Sequence, residues 1–69
     1  MQRTPVSSSD LKSVGYDAAS NTLEIEFNSG GVYQYANVPA GTYQGLLNAS
    51  SKGTYFHQNI KNNYSYRKL

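Results

Sequence analysis

Residues 23–35 read LEIEFNSGGVYQY, and the register given to this stretch decides the fold. Leu23, Ile25 and Phe27 alternate with Thr22, Glu24 and Glu26, the period-2 signature of a strand with one apolar and one polar face. Asn28-Ser29-Gly30 supplies a three-residue turn, with Gly30 suited to the left-handed position that closes such a loop. That loop length sets Phe27 opposite Gly31, Ile25 opposite Tyr33 and Leu23 opposite Tyr35. Tyr33 and Tyr35 then join the apolar face, while Glu24 and Glu26 share the other face with Val32 and Gln34. A loop one residue longer reverses the assignment and stands both tyrosines among the glutamates.

Working outward, Ser13 to Asp17 reads as a strand with Val14 and Tyr16 on one face and Gly15 on the other. Ala18-Ala19-Ser20-Asn21 forms a four-residue loop that sets Tyr16 against Leu23 and Val14 against Ile25, joining the apolar faces. The agreement of the two hairpin registers supports an antiparallel meander. Gly15, bare on the outer face, is a place where another backbone or a ligand can come close. Ser8-Ser9-Asp10 offers caps for one helical turn through Leu11 and Lys12. Residues 1–7 are expected to be a flexible N-terminal arm, with Val6 a candidate start for a short strand.

Beyond Tyr35 the pattern changes. Val38-Pro39 ends the strand, because the residue before proline avoids the helical region and proline suits a helix start. From Pro39 to Ala49, the residues Tyr43, Leu46 and Leu47 fall at i, i+3 and i+4, one apolar stripe on a short helix. Gly41 and Gly45 weaken it by ~1 kcal/mol each relative to alanine, so it needs packing to persist. Ser50 or Ser51 caps a second helix running to about Ile60 or Asn62, with Phe56 and Ile60 as its apolar pair and Tyr55 alongside. His57 and Lys61, four apart, share its outward edge. The tail from Tyr64 to Leu69 alternates aromatic and polar residues, as an edge strand or a loose end.

The expected fold is therefore α+β, a single domain over residues 8–69. It consists of a three-stranded antiparallel β-meander, with the tail as candidate fourth edge strand, packed on one face by two short C-terminal helices. Its expected core is Val14, Tyr16, Leu23, Ile25, Phe27, Tyr33, Tyr35, Val38, Tyr43, Leu46, Leu47, Phe56 and Ile60. Sixty-nine residues allow only a small core, burying ~60% of the unfolded surface and leaving ~3–5 kcal/mol of net stability. With no cysteine, disulfides cannot add to it. No apolar run approaches the ~18 residues a membrane span requires, and the start lacks an apolar signal segment, so a cytoplasmic protein with no membrane partner is expected.

Charge is unevenly placed. Asp10, Asp17, Glu24 and Glu26, offset by Arg3 and Lys12, give the first part −2, whereas Lys52, Lys61, Arg67 and Lys68 give the rest +4. A basic C-terminal half favours an anionic partner. Seven tyrosines add large apolar bodies with hydrogen-bonding tips, useful in cores, interfaces and base stacking alike.

Several of these strings, in their order and spacing, resemble the KTSC domain. They are VGYD at Val14–Asp17, LEIEF, Tyr33-Gln34-Tyr35 and Val38-Pro39, followed by Ala49, Ser51, Gly53, Tyr55-Phe56, Ile60 and Tyr64. The resemblance runs from about Val6 to Arg67. That domain is named for the C-terminal end of some lysyl-tRNA synthetases and also stands alone in short bacterial and viral proteins. The resemblance implies no particular catalysis and, through the synthetase context, RNA as a ligand. The family's central Tyr-X-Tyr motif falls on Tyr33 and Tyr35. The chain departs from the family pattern at His57, where asparagine is expected.

The residues themselves argue against catalysis. The lack of cysteine excludes thiol chemistry, and with a single histidine a zinc site would need carboxylate ligands. Glu24 and Glu26 can present paired carboxylates, but a solvated outer face is the ordinary outcome for such acids. Gly30-Gly31 is a hairpin turn rather than a phosphate loop. A non-enzyme with no metal and no cofactor is expected. RNA binding then has two forms. In one, Tyr33 and Tyr35 form an open stacking platform, which needs the reversed register and places them beside repelling acids. In the other, Lys52, His57, Lys61, Arg67 and Lys68 line one edge with Tyr64 and Tyr66 interleaved. Against both stands a protein-interaction or self-association module that uses an open sheet edge.

Overall fold

A computed structural model describes residues 1–69. The elements in chain order are β1 (Thr4–Pro5), β2 (Leu11–Asp17), β3 (Thr22–Phe27), β4 (Val32–Tyr35), α1 (Ala40–Asn48), α2 (Lys52–Asn59) and β5 (Tyr66–Lys68). The strands form one antiparallel sheet in the order β1-β2-β3-β4-β5, with both helices on one face. The α+β class and the central meander are as the sequence implies. The sheet, however, has five strands where three were expected with a candidate fourth.

The deciding hairpin adopts the three-residue turn. Leu23 pairs with Tyr35, Ile25 with Tyr33 and Glu26 with Val32, and the Phe27 amide donates to Gly31 O at 2.9 Å. Gly30 takes φ +111°, a conformation that side chains disfavour. The β2–β3 register matches as well, with Tyr16 opposite Leu23 and Val14 opposite Ile25.

The expected helical turn through Leu11 and Lys12 is not formed. Ser8 Oγ does accept from the Asp10 and Leu11 amides, but the chain then enters β2, where Leu11 pairs with Phe27 and is fully buried. The register shifts between Leu11 and Ser13, so Lys12 is an inserted bulge residue. Strict alternation from Val14 and Tyr16 would turn Leu11 outward. The bulge reverses that, which is why the apolar pattern alone omits Leu11 from the core.

The arm over residues 1–7, expected to be loose, carries β1, with Thr4 opposite Val14 and Pro5 opposite Ser13. The tail forms β5, with Tyr66 opposite Tyr35 and Lys68 opposite Tyr33.

The core is Leu11, Val14, Leu23, Ile25, Tyr35, Val38, Leu46, Phe56 and Ile60. Tyr16, Phe27, Tyr33, Tyr43 and Leu47, expected within it, are only half-buried at its margin, as are Val6, Tyr55 and Tyr64. Pro39 sits at the N-cap of α1 rather than inside it. Ser51, not Ser50, caps α2, its Oγ accepting from the Thr54 amide at 3.4 Å. Tyr16 stacks on Tyr43 of α1 at 4.9 Å and donates its hydroxyl to Val38 O at 2.6 Å, which ties the first helix to the sheet.

The acid face is not simply solvated. Glu24 is 6% exposed, paired with the Arg3 guanidinium and accepting from Gln34 Nε2 at 2.9 Å. Gln34 Oε1 in turn accepts from Arg67 at 3.1 Å. Gly15, Glu24, Gln34 and Arg67 are successive cross-strand partners in one row. A Cβ on Gly15 would lie 2.5 Å from Gln2 O and 3.2 Å from Arg3 Cγ, so only glycine lets Arg3 cross β2 to reach Glu24. The Gln34 amide, and the Arg3 guanidinium after it, hold the Glu24 carboxyl below its ordinary value against the opposing pull of burial.

Candidate functional site

The helices do not cover the whole inner face. Past α2, towards β5, a groove of about 340 Å³ remains, lined by Phe27, Tyr33, Tyr35, Phe56 and Tyr66 with His57, Lys61, Asn62 and Ser29 at its rim. Its rings form a connected set. Phe27 meets Tyr33 edge-on at 5.4 Å and Phe56 at 5.3 Å, and Tyr35 meets Phe56 at 5.6 Å. Tyr66 lies tilted at 5.7 Å from Tyr33 and 5.5 Å from Tyr35. Such contacts fix ring orientation as well as burying area. Tyr35 lies at the bottom, its phenol pushed up to about 12 by burial, with Tyr66 and Tyr33 adding to the rise. Tyr66 is the opposite extreme, 60% exposed, so a broad aromatic surface stays available to a planar ligand.

The rim is cationic. His57 in the last turn of α2 and Lys61, just past the helix end, line the rim, and Lys68, opposite Tyr33 in the ladder, stands on the same face of the sheet. No acid lines this groove. The nearest acid is Asp10, whose Oδ2 lies 3.7 Å from His57 Nε2 in a neighbouring hollow. Both side chains of that pair are 53% exposed.

Of the seven cationic and aromatic residues proposed from the sequence for one edge, the structure brings His57, Lys61 and Tyr66 into one groove, with Lys68 on the same sheet face beyond its lining. Arg67, one residue along β5, points to the other face and binds Gln34. Tyr64 is half-buried against the core, its hydroxyl 3.4 Å from Thr42 Oγ1. Lys52 lies at the far end of α2, donating to Ala49 O at 3.2 Å. Tyr33 and Tyr35 stand on the helix side and form groove wall and floor. Sequence reasoning did not single out Phe27, Phe56, Ser29 or Asn62 for the site. The signal for Phe27 was present, since the three-residue turn already put it on the face of Tyr33.

The pattern of the KTSC domain matches residues 7–64. A protein of Stutzerimonas stutzeri is 46% identical over 61 residues, 88% of this chain and 86% of that protein. A lysine–tRNA ligase of Trichormus variabilis is 44% identical over 59 residues, which make up 86% of this chain but 10% of the ligase. Among solved structures, a KTSC domain protein from Yersinia pestis superposes with a TM-score of 0.97 at 46% identity, covering 99% of this chain and 96% of that one. The chain belongs to the KTSC domain family. Relatives occur both as small proteins and as a segment within lysine–tRNA ligases. No helix is long and apolar enough to cross a membrane.

Proposed function

We propose that this chain is a non-catalytic, cytoplasmic binding module that holds single-stranded RNA in the groove between α2 and β5. The observation that carries this reading is an exposed tyrosine, Tyr66, braced by Tyr33 and Tyr35 beside Lys61, Lys68 and His57, with no acid in the lining. Rings stack on bases of any sequence and cations hold the phosphates, the design of a sequence-tolerant single-strand site. A related segment within a ligase that by name handles a tRNA gives the same direction. The non-catalytic reading rests on the His57–Asp10 pair, which is open to water where a general base needs a dry and oriented setting.

A second reading, self-association through β5, draws on exposed Tyr66 and Leu69 at that edge. It is weakened by the three-residue length of β5 and its two cations, features that blunt an edge against pairing. Titration with short single-stranded RNA at two salt concentrations separates the readings. Neutralising Lys61 and Lys68 to glutamine should make the log–log salt slope shallower by ~0.7 for each phosphate no longer neutralised. Absence of binding at low salt, together with a concentration-dependent sedimentation value, would favour self-association instead.

A further inference from the structure

The groove does not end at His57. The aromatic hollow shares Phe27, Ser29 and His57 with a second one lined also by Ser9, Asp10 and Asn28. That second hollow shares Ser9 with a third, bounded by Ser7, Ser8, Ser50, Ser51 and Lys52. A trough of three linked hollows therefore runs beside α2, about 12 Å long for its eight residues, with the Asp10 carboxylate seated against Gly53 between its two ends. Its chemistry changes along the way, from five rings at the Lys61 end to five serines and a lysine, with no apolar side chain, at the Lys52 end.

The polar end is biased towards donation. Ser8 Oγ accepts from the amides of Asp10 at 3.2 Å and Leu11 at 3.3 Å, which occupies both acceptor positions of the hydroxyl and leaves its proton to donate. Lys52 spends one of its three donors on Ala49 O, so two remain. A hollow offering spare donors and a positive charge suits an anionic oxygen.

We propose that this serine–lysine hollow is a second subsite of the same RNA site, holding a backbone phosphate of the strand whose base stacks on Tyr66. The inference rests on the RNA reading above and deepens it. The ligand is then an oligonucleotide laid along α2, not a single nucleotide. At mid-trough Asp10 is the one acid on the path, its Oδ2 3.7 Å from His57 Nε2, and the strand passes it between the two subsites.

The test compares a nucleoside monophosphate with a short single-stranded RNA on the wild type, Lys52→Gln and Ser50→Asp, with folding checked by circular dichroism. Ser50 is exposed, so an aspartate there adds repulsion without disturbing the Ser51 cap. Both variants should weaken the oligonucleotide by about fivefold or more and leave the monophosphate unchanged. Lys52→Gln should also make the salt slope shallower by ~0.7. Unchanged oligonucleotide binding in both variants, while Tyr66→Ala weakens it about tenfold or more, would overturn the second subsite and leave the RNA reading standing. Failure of the wild type to bind either probe at low salt would overturn both, as would preference for an acidic peptide over RNA.

Discussion

On the helix side of the sheet, Val14, Leu23 and Ile25 are sealed from water by apolar side chains of α1 and α2. On the far side Ser13 and Glu24 are sealed almost as well, but by a two-residue strand, an arginine laid across a glycine and a row of cross-strand hydrogen bonds. The first face is closed by area, which is forgiving of small displacements. The second is closed by a few directed bonds, each of which leaves a buried polar group unpaired if broken. The aromatic groove lies where closure by area runs out, so its rings are firmly held by their neighbours and still accessible.

Ile25→Ala attacks the apolar face and should have the largest effect. Losing a fully buried side chain costs ~2–5 kcal/mol, comparable with the whole stability of so small a domain. Chemical denaturation should show a largely unfolded variant; a midpoint near that of the wild type would mean that this face is not the main source of stability. Gly15→Ala attacks the polar face. The new methyl must displace the backbone of the arm at Gln2, so a loss of ~1–3 kcal/mol is expected, with faster exchange of the arm's Val6 amide, which donates to Lys12 O at 3.1 Å. Unaltered exchange there would show that the arm is not held by this close approach.

Glu24→Gln is subtler. Because the folded-state carboxyl titrates below its unfolded value, its contribution is present above the unfolded value and is lost as pH falls through the folded one. The variant should be less stable at neutral pH but lose less stability on acidification than the wild type. Parallel stability–pH curves would remove Glu24 from the acid response.

Much of this contrast was legible in the chain. A three-residue turn and a four-residue loop fixed which side of each central strand is apolar, and with that the place of Tyr33, Tyr35 and Phe27. Periodicity says which way a side chain points, not what covers it. Nothing in the alternation of Glu24 and Glu26 announced that Arg3, twenty-one residues earlier, would cross a bare glycine to cap one of them. The bulge at Lys12 was hidden for a related reason: one inserted residue inverts the pattern locally, and only the pairing of Leu11 with Phe27 shows it. For the site, residue types pointed to the basic C-terminal half. The division of neighbouring Arg67 and Lys68 between opposite faces depended on whether the tail formed a strand, a question the sequence left open.

Adjacent residues on β5 provide the most direct test of the claim that the inner face, and not positive charge in general, binds RNA. Tyr66 faces the groove and Arg67 the polar row. With short single-stranded RNA at low salt, Tyr66→Ala should reduce affinity about tenfold or more, and Arg67→Gln should leave it within error of the wild type. An equal or larger loss from Arg67→Gln would contradict the account and move the binding surface to the other side of the sheet.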